Sequence, residues 1–313
     1  WTQLSSTTGS NFNYVQKIVV HPDSGDVYAA TRDGGVMRST DGGTSWSSVL
    51  ASGSGATTSR AADIEIAADT TLYVAMGIFS TDGVYSSSTG NSSSWTKLNT
   101  GSNGMGTSGF NRIELAVAPA NENVVYALTH DPADGSVEGI YRTANKGSTW
   151  SSLTPPTDDD PGVGSDFTRG QAWYNLIAAV SPTDATGDTM FIGGIDLFKT
   201  TDGGSNWSQI SHWYGGFGYQ EVHADQHAIV FVDDDPDQIL FGNDGGVYRS
   251  TNGTASIPTI TSKESNYNTT QFYSAAMHPD AGSNHFLGGT QDNGTNKFST
   301  LGINSTTEVV GGD

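Results

Sequence analysis

The 313-residue chain contains no cysteine. This absence excludes disulfide bonds, thiolate metal ligands and a cysteine nucleophile. The sequence also has no apolar run that approaches the ~20 residues needed for a membrane-spanning helix. We therefore expect no membrane insertion, and any metal or catalytic site must use oxygen and imidazole groups.

Positive charge is scarce. The sequence has 13 Lys and Arg residues against 33 Asp and Glu residues, which gives a formal net charge of −20. This balance disfavours binding to nucleic-acid phosphates, which requires clustered basic residues, and adsorption to anionic membranes. Hydrophobic residues make up only 35% of the chain, but the 12 Tyr, 12 Phe and 7 Trp indicate a folded protein.

Internal repeats dominate the sequence, and they decide the architecture. Four segments of similar sequence each end in a tryptophan. They are DGGVMRSTDGGTSW at Trp46, DGVYSSSTGNSSSW at Trp95, EGIYRTANKGSTW at Trp150 and IDLFKTTDGGSNW at Trp207. A fifth copy at 244–254 lacks the tryptophan, and a more degenerate sixth copy covers 289–300.

Each unit contains four short runs rich in β-branched and aromatic residues, separated by Gly, Pro, Asn and Asp. In the first unit these runs are 15–22, 26–31, 35–40 and 45–50. Four strands per repeat are typical of one β-propeller blade. The sequence therefore predicts an all-β fold: a single propeller domain over 1–313, with about six blades that are four-stranded antiparallel sheets. The segment from Trp1 matches a fourth strand, and the segment 306–313 resembles the fourth strand of the last unit. The N-terminal strand could close the ring, but because the last unit has its own fourth strand, we expect the chain to be a slice of a larger propeller.

Three of the repeats carry a recognisable turn motif: STDGGTSW at 39–46, TANKGSTW at 143–150 and TTDGGSNW at 200–207. These segments resemble the Asp-box, S-x-D-x-G-x-T-W, of the BNR-repeat propellers in sialidases, xyloglucanases and sortilin receptors. The resemblance implies a propeller and leaves the function open. Because aspartate caps tight turns and tryptophan packs between sheets, we interpret five residues as structural: Asp41, Trp46, Trp150, Asp202 and Trp207.

In a propeller, the loops that precede first strands share one face with the turns that follow second strands. Many of the scarce Arg and Trp residues fall in these loops. Such a face suits a sugar, because indole stacks on a pyranose while carboxylates and guanidinium groups bond its hydroxyls. The candidate ligand-binding residues are Arg32, Arg60, Arg112, Arg169, Trp173, Asp196, Gln291 and Asp292.

The HADQH segment at 223–227 is a candidate metal site. At strand spacing, His223, Asp225 and His227 project to one side, and two imidazoles with a carboxylate can bind Zn²⁺. The alternative is that these side chains form hydrogen bonds across a blade seam. The DDDP run at 158–161 could bind Ca²⁺ through oxygen ligands or form a solvated turn.

Two Asp-Gly-Gly turns carry the candidate catalytic residues, Asp33 and Asp244. The segment around Asp33 resembles the one around a catalytic aspartate in xyloglucanase-type hydrolases, although Arg32 departs from that pattern. Inverting hydrolysis needs two carboxyl groups ~6.5–9.5 Å apart, and these aspartates come from non-adjacent blades that could face each other. The alternative is a tight turn that needs only Asp and Gly.

An arginine triad offers a further hypothesis. Arg60, Arg112 and Arg169 precede first strands in successive units, an arrangement similar to the arginines that bind the substrate carboxylate in sialidases. The sequence has no clear tyrosine–glutamate nucleophile pair, so the sialidase interpretation ranks below the others.

Two classes of function remain open. The first is an extracellular or cell-surface module that recognises a glycan or a surface protein through the loop-rich face, as the sortilin resemblance implies. The second is an inverting glycoside hydrolase that acts on a polysaccharide. The inexact match around Asp33 favours the recognition module. Ca²⁺ and Zn²⁺ are the cofactors that the sequence suggests, and the oligomeric state is open.

Overall fold

The computed structural model describes residues 2–263, 271–300 and 307–311. Within these ranges, 24 strands form six four-stranded sheets. Inside each sheet, strands that are consecutive in sequence pair antiparallel, as β1, β2, β3 and β4 do. These consecutive sheets confirm the predicted all-β propeller with about six blades. Trp1, where the predicted fourth-strand match begins, lies outside the described residues.

The first three blades cover the N-terminal half of the chain. Blade 1 contains β1 (Val15–Val20), β2 (Val27–Thr31), β3 (Gly35–Ser39) and β4 (Ser47–Leu50). Blade 2 contains β5 (Ala61–Ile66), β6 (Leu72–Met76), β7 (Gly83–Ser87) and β8 (Thr96–Lys97). Blade 3 contains β9 (Ile113–Val117), β10 (Val125–His130), β11 (Val137–Thr143) and β12 (Ser151–Leu153).

The other three blades follow the same order. Blade 4 contains β13 (Ile177–Val180), β14 (Met190–Gly193), β15 (Leu197–Thr200) and β16 (Ser208–Gln209). Blade 5 contains β17 (Gln226–Phe231), β18 (Ile239–Asn243), β19 (Gly246–Ser250) and β20 (Ile260–Ser262). Blade 6 contains β21 (Phe272–Met277), β22 (Phe286–Thr290), β23 (Thr295–Phe298) and β24 (Thr307–Val310).

Helical structure in the described ranges is confined to single turns. They are α1 (Ala172–Asn175) and the 3₁₀ turns Ser5–Thr7, Ser10–Phe12 and Val232–Asp234. Of these, α1 lies in the loop between blades 3 and 4 and carries Trp173 and Tyr174.

The hydrophobic core lies in the seams between consecutive blades. Four clusters of buried side chains fill the seams of blades 1–2, 2–3, 3–4 and 4–5. Each seam contains one aromatic ring from the second position of a second strand: Tyr28, Tyr73, Tyr126 or Phe191. Fully burying one such side chain stabilises the fold by about 1.5–3 kcal/mol. The repeat therefore encodes the packing of one blade on the next.

The turns between third and fourth strands show why the Asp-box repeats. In blade 1, Asp41 accepts hydrogen bonds from the backbone N–H and hydroxyl of Ser45, at 2.9 and 2.6 Å. In blade 4, Asp202 accepts the equivalent bonds from Asn206 at 2.8 and 2.7 Å. These bonds lower the pKa of Asp41 to about 2. Both carboxylates are thus occupied by their own turns.

The motif tryptophans reach towards the preceding blade. Trp150 and Trp207 donate from Nε1 to the backbone carbonyls of Leu98 and Thr154, at 3.3 and 2.9 Å. These two indoles therefore span the seams of blades 2–3 and 3–4. Trp46 holds the same sequence position in blade 1, where its ring packs edge-on against Phe12.

A glycine of the motif allows a leucine from the preceding repeat to pack closely against the turn. A Cβ on Gly43, Gly147 or Gly204 would lie within 2.7 Å of a leucine from the preceding repeat position: Leu4, Leu98 and Leu153, respectively. All three glycines have positive φ, so a side chain would also strain the backbone. The residues around Leu4 thus sit against blade 1 as a fourth strand sits against the next blade.

We predict that Ile64→Ala, in the seam of blades 1 and 2, lowers the free energy of unfolding by about 2–5 kcal/mol, because it leaves a cavity. Ile64 is fully buried, whereas Ile18, at the same position of β1, is 59% exposed. The matched change Ile18→Ala should therefore cost less than about 0.5 kcal/mol. Urea unfolding of both variants tests this, and equal losses would contradict the assignment of the core to the seams.

Candidate functional site

Loops from blades 4, 5 and 6 meet on one face of the propeller. The loop after β12 reaches the β14–β15 turn through Arg169 and Asp196, 3.5 Å apart. Tyr174 donates to Asp244 in the β18–β19 turn at 2.7 Å. The His223 Nε2 atom lies 2.7 Å from the backbone oxygen of Asp292, in the β22–β23 turn. The topology thus gathers five of the residues singled out above in one region.

An open pocket of about 520 Å³ lies in this region; we call it the aromatic pocket. Its lining residues are Trp213, Tyr214, Glu221, His223, Ala224, Asp225, Asp292, Asn293, Gly294 and Glu308. Trp213 and Tyr214 are 42% and 48% exposed, and their ring centroids are 4.6 Å apart. Exposed aromatic rings beside carboxylates and amides are the groups that hold a polar ligand with apolar faces.

A hydrogen-bonded group of residues flanks the aromatic pocket. His227 Nε2 lies 2.8 Å from Asp244 Oδ1, and the Tyr174 ring packs edge-on against His227 with centroids 4.7 Å apart. Asn175 donates to Asp225 at 2.8 Å. Burial raises the pKa of Asp225, and the neighbouring Asp244 carboxylate adds to the rise. Burial and the bond to Asp244 likewise raise the pKa of Tyr174 well above its usual range.

The HADQH segment does not have the extended geometry on which its metal hypothesis was based. Only from Gln226 onwards is it a strand, and Asp225 has a positive φ of 61°. A register shift between Gln226 and Ala228 places His227 at a bulge, which re-aims its side chain. His223, Asp225 and His227 therefore turn to three different partners. Metal binding by these three residues stays a prediction.

A second group of polar side chains lies beneath the same loops; we call it the buried polar cluster: Asp158, Asp160, Arg169, Asp196 and His212. Arg169 lies 3.1, 2.9 and 3.5 Å from carboxylate oxygens of Asp158, Asp160 and Asp196. Asp196 and His212 are fully buried. Burial and the neighbouring Asp158 carboxylate raise the pKa of Asp196 to about 8.

In the described part of the chain, the buried polar cluster contains the one group of three residues with converging metal-ligand atoms. One such atom from each of Asp158, Asp196 and His212 lies within 4.8 Å of the others. His212 also contacts the lining of the aromatic pocket, because the centroid of its ring lies 4.1 Å from that of Tyr214. The cluster therefore supports the loop that presents Trp213 and Tyr214.

Charged residues also line the axis of the propeller, where an open cavity of about 450 Å³ lies between first strands. Lys17 forms ion pairs with Asp63, at 3.0 Å, and with Glu65. Arg112 lies 3.2 Å from Glu114. Burial raises the pKa of Glu65 to about 7, and burial together with the nearby Asp63 carboxylate raises that of Glu114 to about 7.

The predicted arginine triad is not presented to a common ligand in the structure. Arg112 donates to the backbone carbonyls of Ala172 and Leu176, at 3.1 and 2.8 Å, and so links blade 3 to the loop before blade 4. Arg169 pairs with three carboxyl groups of the buried polar cluster. Arg60 is half-buried before β5. Ligand binding by these arginines stays a prediction.

The remaining candidates lie at different places on the face. Arg32 stacks on the Tyr14 ring at 3.3 Å and lies 4.0 Å from Asp33, in blade 1. Trp173 is exposed beside Tyr174. Gln291 donates its backbone N–H to Gln271 at 3.0 Å. Asp33 and Asp244 thus have separate partners, and their catalytic pairing stays a prediction.

Sequence reasoning missed several residues of this region. It did not select His212 or Tyr174 as site residues, and it treated Asp158 only as part of an acidic run. His212 directly precedes WYGGFGYQ, and that position beside an aromatic loop was the available signal. No local pattern pairs it with Asp196, because the two belong to different loops.

Among the described residues, no helix has the length and apolar character required to cross a membrane. No family model and no curated protein sequence matches the chain. Solved structures do match it, and they are similar in fold.

An ancestral GH74 enzyme aligns with a TM-score of 0.60 and 18% identity over 98% of this chain and 39% of that chain. The GH74 xyloglucanase from Xanthomonas campestris gives 0.45 and 14% over 98% and 52%. The extracellular domain of a putative one component system from B. thetaiotaomicron gives 0.49 and 14% over 95% and 33%. This chain thus spans about half or less of the length of these proteins. The ancestral GH74 enzyme supports the propeller fold.

The axial carboxylates generate a pH prediction. Glu114 binds its proton up to about pH 7 in the folded chain, against an ordinary value of 4.5. Between these two values the folded state binds more protons than the unfolded state, so this group makes stability fall as pH rises. We predict that Glu114→Gln, which removes the ionisable group, becomes more stable relative to wild type from pH 5 to pH 7.

Urea unfolding at pH 5, 6 and 7 measures this difference. Arg112 retains its two backbone acceptors in the variant, so the fold should persist. Stability profiles that stay parallel over this range would show that Glu114 releases its proton at an ordinary pH.

Proposed function

We propose that this chain is a carbohydrate-recognition module that binds a neutral polysaccharide in the aromatic pocket. The observation that supports the proposal most is the pairing of exposed Trp213 and Tyr214 rings with carboxylate and amide groups in one open pocket. Indole and phenol rings cover the apolar face of a pyranose, while Asp225, Asp292 and Asn293 accept or donate hydrogen bonds at its rim.

The charge of the pocket selects the class of glycan. Four lining residues carry carboxylates: Glu221, Asp225, Asp292 and Glu308. None of the lining residues that the structure describes is Lys or Arg. A uronic or sialic acid would bring a like charge close to these groups, which disfavours binding. A neutral glycan offers hydroxyl donors to the same oxygens.

We also propose that the protein acts outside the cell or at its surface. The net charge of −20 disfavours adhesion to anionic membranes and nucleic acids, and the polysaccharides of cell walls and cell surfaces are extracellular ligands. A surface protein is the alternative ligand; it would need a larger contact area than the aromatic pocket provides.

The binding proposal predicts that Trp213→Ala weakens affinity for a neutral polysaccharide at least tenfold, or ~1.4 kcal/mol, because the stacking surface is lost. Tyr273 is an exposed aromatic residue of β21 outside the pocket lining, so Tyr273→Ala is the matched control. Affinity electrophoresis against neutral and acidic polysaccharides measures both. Equal retardation of Trp213→Ala and wild type, or preference for acidic polymers, would rule the proposal out.

Glycoside hydrolysis is the second candidate, favoured by one observation. Asp225 has a raised pKa and lies near Asp244, which is oriented by Tyr174 and His227. Two carboxyl groups, one of which stays protonated, are what acid–base hydrolysis of a glycoside requires. On this hypothesis Asp225 is the acid, and Asp244 rather than Asp33 is its partner.

The hydrolase hypothesis predicts that wild type releases reducing sugar from a polysaccharide that it binds. Asp225→Asn and Asp244→Asn should each abolish turnover while binding persists, and Asp33→Asn should leave turnover intact. A reducing-sugar assay alongside the affinity measurement separates the two functions. Binding without turnover by wild type would exclude the hydrolase hypothesis and leave glycan recognition as the function.

A further inference from the structure

The buried polar cluster contains three carboxyl groups, those of Asp158, Asp160 and Asp196, and all three have the single guanidinium of Arg169 as their ion-pair partner. Carboxylate charge in excess of its cationic partners is disfavoured away from water. A bound cation would compensate it.

Three atoms of the cluster have no hydrogen-bond partner: Arg169 Nε, Asp196 Oδ1 and His212 Nε2. The last two belong to side chains that are fully buried. A buried carboxylate oxygen or ring nitrogen without a partner is rare, because its desolvation is uncompensated. One ligand atom from each of Asp158, Asp196 and His212 lies within 4.8 Å of the others, so the three side chains converge on a common space.

Of the four carboxylate oxygens of Asp158 and Asp196, three already have partners, and Asp196 Oδ1 has no hydrogen-bond partner. Asp158 Oδ1 accepts the backbone N–H of Asp160 at 2.8 Å, and its Oδ2 faces Arg169. Asp196 Oδ2 also faces Arg169. Arg169 thus holds both carboxylates from one side without covering Asp196 Oδ1.

We infer that Asp158, Asp196 and His212 bind one divalent cation of the zinc class. Imidazole nitrogen with carboxylate oxygen is a donor set that zinc and similar transition metals prefer, whereas Ca²⁺ is held by oxygen alone. Asp160 Oδ2, 3.7 Å from His212 Nε2, is close enough to become a fourth ligand. Zinc–ligand bonds of ~2.0–2.2 Å require the side chains to draw together on binding.

The site would tie three segments to each other: the loop after β12, the β14–β15 turn and the loop after β16. His212 Nδ1 lies 3.5 and 3.3 Å from the backbone N–H groups of Tyr214 and Gly216. Coordination through Nε2 places the ring proton on Nδ1, so binding should displace these two N–H groups and reshape the turn that carries Tyr214. The cation is thus structural, and it positions the rim of the aromatic pocket.

The test is Zn²⁺ binding to chelator-treated wild-type chain, followed by calorimetry, with CaCl₂ as a parallel titrant. We expect about one equivalent of Zn²⁺, bound more tightly than Ca²⁺, and a rise in Tm with Zn²⁺ concentration. Asp196→Asn and His212→Gln should each weaken binding at least tenfold. His278→Gln, which changes an exposed histidine paired with Asp280, is the control and should bind as wild type does.

Several results would overturn the inference: no Zn²⁺ binding by wild type, tighter binding of Ca²⁺, or loss of the site in a His223→Gln, His227→Gln double variant instead. Should Asp196→Asn or His212→Gln fail to fold, zinc-edge anomalous scattering from wild-type crystals decides. A peak between Asp158, Asp196 and His212 supports the site, and a peak elsewhere contradicts it.

Discussion

The structure depends on the packing of one four-stranded sheet against the next. A single blade has two faces and too few residues to bury either by itself. In blades 1 to 4, the aromatic ring at the second position of the second strand therefore enters the seam with the following blade. This packing fixes the position of each blade relative to its neighbours. The loops of blades 4, 5 and 6 meet as a consequence, although they are far apart in sequence.

Sequence analysis could predict the features that repeat or that are local. The repeat of about fifty residues indicates the blade, and the Asp-box turns follow from hydrogen bonds between residues four apart, as between Asp41 and Ser45. The HADQH segment shows the limit of such reasoning. Alternation assumes a regular strand, but a left-handed residue at Asp225 and a bulge at His227 send its side chains in different directions.

Long-range contacts were beyond the reach of the sequence pattern. Nothing near His212 indicates that Asp158 and Asp196 will lie beside it, since the three residues come from separate loops that only the blade packing brings together. The arginines illustrate the same point in reverse. Arg112 and Arg169 occupy loops typical of ligand binders, yet in the folded chain they contact backbone carbonyls and buried carboxylates. In so acidic a chain, the few arginines have many internal partners.

The candidate site depends on contact between the loop that precedes blade 4 and the loops of blade 5, through Tyr174, His227 and Asp244. A crystal structure of the chain measures this most directly, through the distances from Tyr174 Oη and His227 Nε2 to the Asp244 carboxylate. The account predicts hydrogen-bond distances close to 2.7 and 2.8 Å. Blades packed in another order, with Asp244 remote from both side chains, would contradict the account.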